Sequence, residues 1–232
     1  AQEAFTARYT HETVAMGFAI TEEAIEDNLY DSLSARYTKA LARAMAYTKQ
    51  VKAASLLNGA FSGTTYGDGQ TLCSTAHPLV SGGANSNRPT VGADLNETSL
   101  EAAVIQIGQW TDERGLKIAT QPKKLIIPSD LQFVATRLLE TEGRVGTADN
   151  DINALSNNGS VPGGYTVNHY LTEPNAWFLT TDIPNGMKHF VRAKMATSMD
   201  ADFDTGNSRY KARERYSFGV SDPLGIFGSP GA

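Results

Sequence analysis

The sequence predicts an α+β fold. Two observations carry that reading: one helical stretch of unusual length, roughly Ser32 to Asn58, and strand-like segments gathered in the last third of the chain. Helices that precede a run of strands argue against a parallel βαβ sheet, which needs a helix between successive strands. No segment repeats another.

The composition fits a folded chain. Of 232 residues, 41% are hydrophobic and 19% charged, far from the corner of composition space that stays disordered. Lys and Arg total 20 against 25 Asp and Glu, a net charge of −5, which excludes a protein whose whole surface binds nucleic acid. The one cysteine, Cys73, permits no internal disulfide and offers no zinc site at any usual ligand spacing. No apolar run approaches the ~20 residues needed to cross a bilayer, and residues 1–9 lack the basic start and apolar stretch of a signal peptide. The expectation is a soluble chain with no membrane partner. It opens on Ala1 instead of Met, which reads as a processed product or a fragment.

Phe5 to Ile20 alternates with period two, most clearly at Val14, Met16, Phe18 and Ile20, and is expected to be a strand. Thr21 follows as a helix N-cap with Glu22 and Glu23 in the first turn, so no hairpin partner is adjacent. The strand must therefore pair with a distant segment, with residues upstream, or with another molecule.

In the long helix Leu33, Tyr37, Leu41, Ala44 and Val51 recur at spacings of three and four, and Gly59 is expected to stop it in a left-handed C′ position. At 1.5 Å per residue such a helix is about 40 Å long, which suggests a mechanical role. Charge is segregated around it. Residues 21–31 hold only acids, Glu22, Glu23, Glu26, Asp27 and Asp31, whereas residues 34–58 hold only bases, Arg36, Lys39, Arg43, Lys49 and Lys52.

A Gly-rich loop from 62 to 94 is longer than ordinary connections, a mark of function or of a segment lying across another surface. Thr98 and Glu101 suggest a capping box for a helix running to about Arg114. Leu116–Ala119 and Lys124–Ile127 read as short strands, and Pro128-Ser129 introduces a helix from Leu131 to about Glu140. A second loop spans 143–164. Tyr165–Leu171, Ala176–Leu179, Met187–Arg192 and Arg209–Phe218 complete the strands, the last with Arg209, Lys211, Arg213 and Arg215 on one face and Tyr210, Ala212, Glu214, Tyr216 and Phe218 on the other.

No motif specifies an enzyme. Asp200, Asp202 and Asp204 match the first ligands of a calcium-binding loop, but Thr205 stands where the sharp turn needs Gly and Lys211 where the bidentate Glu belongs. Cys73 and His77 are adjacent in a loop without any nucleophile framework, and the glycine groups at 67–69 and 163–164 lack the Lys-Ser/Thr of a phosphate loop. No catalytic, cofactor or metal residue is therefore expected. The basic strand face at 209–215 admits three readings: a solvated surface, an inter-subunit contact with an acidic block, or a nucleic-acid contact.

Long phrases of the sequence resemble the major capsid proteins of tailed bacteriophages, of the Hong Kong 97-like fold. They include GFAITEEAIEDNLYD, GDGQTLCSTAHPLVSGG, DLNETSLEAA, RGLKIATQPKKLIIP, GYTVNHYLTEPNAWFLTTDIPNGMKHFVRA and DFDTGNSRYKARERYSFGVSDPLGIFGSPGA, in order along the whole chain. The resemblance implies residues 1–20 as part of an extended loop, 21–120 as a peripheral domain with helix 32–58 as its spine, 121–190 as an axial domain, and 191–232 returning to the peripheral domain. It implies a non-enzymatic head protein, assembled in the host cytoplasm and present in the virion as pentamers and hexamers of an icosahedral shell around double-stranded DNA. Portal and decoration proteins would be further partners. An encapsulin-like nanocompartment shell of the same fold is the alternative. Family chains carry an arm and the first half of the extended loop ahead of the residues matched here, and Leu224 stands where relatives often have a basic residue. The candidates for inter-subunit or genome-facing contact are Glu22, Glu23, Glu26, Asp27, Arg36, Arg43, Arg209, Lys211, Arg213 and Arg215.

Overall fold

The computed structural model describes residues 5–27, 30–63, 65–144 and 151–232. It contains two compact units, the first made of 1–8, 54–188 and 220–232, the second of 9–53 and 189–219. The loop 62–94 packs into the same unit as the strands between 122 and 181.

The first unit is built on a four-stranded sheet. Its order is β5 (Tyr165–Val167), β4 (Pro122–Ile127), β6 (Trp177–Thr181) and β9 (Ile226–Ser229). β4 pairs parallel to β5 and antiparallel to β6, and β6 pairs antiparallel to β9. Both faces are covered. Leu125, Ile127, Trp177, Leu179 and Phe227 pack with Leu100, Ala103 and Ile107 of α3 (Glu97–Gly108) and Ala135 of α4 (Gln132–Leu139), while Phe178 and Ile226 meet Leu57, Ala60, Leu72 and Cys73 on the other side. Two-sided burial explains why β6 reads as a continuous apolar run instead of an alternation.

The long loop is pinned to this sheet. It carries a two-residue strand pair, β2 (His77–Pro78) with β3 (Ala84–Asn85). Its buried anchor is Asn87, whose side-chain N–H groups donate to the carbonyls of Leu72 (2.7 Å), Pro223 (2.8 Å) and Ile226 (3.1 Å). Asn87 Oδ1 accepts the Ser74 N–H at 2.8 Å and lies 3.0 Å from His77 Nε2, whose other ring nitrogen is 2.5 Å from Asp68.

Several local expectations need correction. The capping box of α3 is Asn96 with Ser99, each side chain accepting the other's backbone N–H, so the helix starts one residue ahead of Thr98. It ends at Gly108, where buried Trp110 turns inward and its indole donates to the Ser86 carbonyl at 2.8 Å. Leu116–Ala119 is not a strand: the Asp112 carboxylate accepts the N–H groups of Arg114 and Leu116, closing a tight turn with a single bridge from Thr111 to Lys117. β5 stops at Val167 because the Asn168 side chain accepts the Tyr170 N–H and bends the chain. In the loop 143–164, residues 145–150 lie outside the described residues, and Ala154–Asn157 forms a short helix, α5. Gly59 is not left-handed; its N–H still donates to Ser55. Glycine is needed nearby for contact, since a Cβ on Gly63 would sit 2.6 Å from the Gly59 carbonyl oxygen.

The second unit joins a three-stranded sheet, ordered β1 (Glu12–Ile20), β8 (Ser208–Val220), β7 (Met187–Ala201), to α1 (Glu22–Glu26) and α2 (Tyr30–Asn58). The opening strand finds its partner within the chain: β1 runs antiparallel to β8, from Glu12 opposite Tyr216 to Ile20 opposite Ser208. It begins at Glu12, not Phe5. Leu41 and Met45 of α2 pack on Ala212, Val14 and Phe18. Lys49 reaches the buried Glu214 at 2.5 Å and lies 5.2 Å over the Tyr216 ring, and Lys52 pairs with Glu12.

Candidate functional site: the open face of the three-stranded sheet

β8 keeps strict alternation through its basic run. Ala212, Glu214 and Tyr216 are buried on the helix-covered face, and Arg209, Lys211, Arg213 and Arg215 are exposed on the other. Burial pushes the Tyr216 phenol above its usual pKa, and the Glu214 and Glu12 carboxylates push it the same way. The β1 residues opposite the four cations are Ala19, Gly17, Ala15 and Thr13, too short to screen or pair with them. Gly17 is needed in that row, because a Cβ there would sit 2.5 Å from the Tyr210 carbonyl oxygen.

Ring contacts show which side chains of β7 share this face. His189 stacks on Phe218 (4.5 Å) and edges Tyr216 (5.7 Å), which puts the odd-numbered residues of β7 on the helix side. Phe190 packs on Tyr9, whose ring lies over Gly219, which puts the even-numbered residues on the open side. Arg192 and Lys194 therefore join Arg209, Lys211, Arg213 and Arg215. Sequence reasoning missed Lys194 by ending the strand at Arg192. The signal was present in the continued alternation of basic Arg192 and Lys194 with Val191 and Met195. His11, accepting from or donating to Ser217 at 3.2 Å, covers the far end of this face and leaves the stretch 209–215 open.

Of the three aspartates, Asp200 lies in β7, and Asp202 and Asp204 lie in the turn between β7 and β8. Asp202 donates its N–H to Asn207 and accepts the Gly206 N–H on its carbonyl, with Gly206 at φ 69°. Its carboxylate accepts from Thr205 Oγ1 (2.7 Å) and pairs with Arg209 (2.5 Å). Among the described residues no three His, Cys, Asp or Glu side chains converge as metal ligands. The Cys73 thiol is fully buried, and burial pushes its pKa far up against a smaller lowering by Arg88, while His77 is engaged by Asp68 and Asn87.

In the acidic block, Thr21 caps α1 by accepting the Ala24 N–H, and the Glu22 carboxylate packs over Gly206. Glu22, Glu23, Glu26 and Asp27 are exposed, as are Arg36 and Arg43. Among the described residues the ion pairs are Lys49–Glu214, Lys52–Glu12, Arg144–Glu97 and Arg209–Asp202, and His77 contacts Asp68. None joins the acidic block to Arg36, Arg43 or Arg213. A sheet face with a basic stripe and an acidic helix, whose acids make no ion pair among the described residues, can bind opposite charge in trans.

The family model for phage capsid protein matches residues 4–228. The chain belongs to the phage capsid protein family. It is a major capsid protein, a structural component of the virion. No curated protein matches the sequence. The fold is shared with the capsid of Myoviridae phage XM1, at 11% identity over 97% of this chain and 74% of that one, with a TM-score of 0.57. The capsid of cyanophage P-SCSP1u gives 12% identity over 96% and 72%, again at a TM-score of 0.57. The holo-SrpI encapsulin complex from Synechococcus elongatus PCC 7942 gives 9% identity over 95% and 74%, also at 0.57. The Hong Kong 97-like fold is common to capsids and encapsulins, and the family match decides for the capsid.

Proposed function

We propose that this capsid protein polymerises as pentamers and hexamers into an icosahedral head around double-stranded DNA, assembled in the host cytoplasm, with portal and decoration proteins as further partners. In this reading α2 is the spine of a peripheral domain, β1 is the returning strand of the extended loop, and residues 121–190 form the axial domain. The chain has no chemistry of its own. The observation that carries the proposal is the segregation of charge: Lys211, Arg213 and Arg215 on one sheet face and Glu23, Glu26 and Asp27 on α1, none with an in-chain ion pair among the described residues. Repeated copies let such contacts add, so each interface can be weak.

Charge reversal tests it. Glu23→Lys with Glu26→Lys is expected to abolish shell formation at ordinary salt, and Arg213→Glu with Arg215→Glu to restore part of it; assembly indifferent to both pairs would remove the charge argument. Genome packaging separates the capsid from an encapsulin shell: DNA-filled particles support the first, and particles filled with a cargo enzyme the second.

A further inference from the structure

The long loop of the first unit encloses a histidine whose hydrogen bonds can be counted. Asn87 is fully buried, and its Nδ2 group faces only carbonyl oxygens, those of Leu72, Pro223 and Ile226. Its Oδ1 is therefore the end that accepts the Ser74 N–H and meets His77 Nε2 at 3.0 Å, so Nε2 must carry a hydrogen. The other ring nitrogen, Nδ1, lies 2.5 Å from Asp68 Oδ2. A neutral imidazole with its hydrogen on Nε2 presents a lone pair at Nδ1, which a carboxylate repels. The contact thus holds one further proton between Nδ1 and Oδ2, in side chains only 5% and 7% exposed. That proton ties a turn to the core. Asp68 Oδ1 accepts the Gln70 N–H at 3.0 Å and the Tyr66 N–H donates to the Gln70 carbonyl at 2.8 Å, so the turn 66–70 is closed on itself and reaches Asn87 through the imidazole. The segment 5–7 rests on it, for a Cβ on Gly67 would sit 2.8 Å from the Thr6 carbonyl oxygen.

We infer that His77 and Asp68 form a proton latch: with the shared proton in place the turn 66–70 is fastened to Asn87, and loss of that proton at alkaline pH releases the turn and the segment 5–7 that rests on it. The surroundings sharpen the response. His77 and Asp68 line a cavity of about 750 Å³ whose walls also carry Asp112, Glu113, Asp182 and Asp222, with Tyr66 and Lys188 as the other titratable groups. Lys188 bonds Asn185 Oδ1 at 2.6 Å, and Arg88, beside Asn87 in the chain, lies over the Phe61 ring. The charge on His77 acts directly on Asp222, which Glu113 repels. Without the proton, the Asp68 carboxylate faces a lone pair among these acids and the cation that offset them is gone. The sign follows from linkage. An unfolded histidine gives up its proton above about pH 6.5, so the folded state binds the extra proton and its stability falls as pH rises past neutrality.

The test compares the full chain with its Asp68→Asn variant. The amide of the variant donates to the Nδ1 lone pair, so the bridge persists without the extra proton and loses its pH dependence. Trp110 and Trp177, the two tryptophans of the chain, both lie in the first unit, and their fluorescence in urea reports its unfolding. From pH 7 to pH 8 the unfolding constant of the wild-type chain is expected to rise at least about fivefold relative to the variant, approaching the tenfold per pH unit of one whole proton. The same pH dependence in both chains would overturn the inference. Hydrogen exchange in the wild-type chain decides the matter independently, whether or not the variant folds. Corrected for the intrinsic effect of pH, the Tyr66 and Gln70 amides are expected to exchange faster at pH 9 than at pH 7 by about tenfold or more, while those of β4 and β6 do not; equal acceleration in the turn and in the strands would contradict the latch.

Discussion

β6 and β7 are strands of one chain with opposite fates. β6 is five residues long, paired on both sides, and four of its five side chains are buried. β7 is fifteen residues long, paired on one side, and thirteen of its side chains are exposed. The first unit holds its sheet between two apolar layers and stitches its loop down with Asn87, whereas the second covers one sheet face with α2 and leaves a cationic face and an apolar edge. The difference separates stability from function: what is buried in the monomer fixes the fold, and what is left open is available to other copies or to nucleic acid.

The largest expected effect falls on the buried side of that contrast. Asn87→Ala removes donors from three carbonyls and the acceptor of the Ser74 N–H, and is expected to destabilise the first unit by at least ~3 kcal/mol, since each buried group left unpaired costs ~1–3 kcal/mol. Urea unfolding measures it; a loss under ~1 kcal/mol, the low end of that range, would show that the loop is held by its apolar contacts alone. Lys49→Met is expected to cost less, about 1–2 kcal/mol, because it strips the partner from buried Glu214 but Lys49 itself is 35% exposed and partly screened. Thermal melting checks it.

On the open side, single substitutions such as Arg213→Ala or Arg215→Ala are expected to leave stability within ~0.5 kcal/mol. If the face meets DNA, each should reduce the slope of log affinity against log salt by about 0.9. An unchanged slope would assign the face to protein contacts instead.

The smallest effect concerns pH. Burial raises the pKa of Asp222, opposed by the hydrogen bond from the Leu224 N–H and reinforced by Glu113. A carboxyl raised on folding stabilises the protonated protein, and that contribution is lost as pH rises from the unfolded value through the folded one. Asp222→Asn keeps the hydrogen bond and is expected to be slightly stabilising at neutral pH, with the gain disappearing below pH 3.8, the ordinary value. A variant less stable at both pH values would contradict this.

Much of the fold was legible locally. The long helix, the strand at Lys124–Ile127 and the alternation of Arg209 to Phe218 are short-range signals, because helix and strand periods are written in consecutive residues. Asn87 was not legible: its partners at Pro223 and Ile226 are 136 and 139 residues away, and nothing around it marks a buried anchor. The extent of β7 was obscured for a related reason. Residues 193–199 mix Ala, Thr and Ser with Met and Lys, a pattern that becomes a strand only when β8 lies beside it. Of the candidate site, the cations of β8 were readable from alternation, whereas the face that Arg192 and Lys194 share with them is fixed by the ring contacts of His189 and Phe190.

The claim that the second unit's open surfaces serve assembly is tested most directly by electron microscopy of the purified chain across a concentration series, paired with sedimentation. Closed shells or curved sheets of pentamers and hexamers are the expected result, lost on Glu23→Lys with Glu26→Lys. Monomers at every concentration, or shells indifferent to those substitutions, would contradict it.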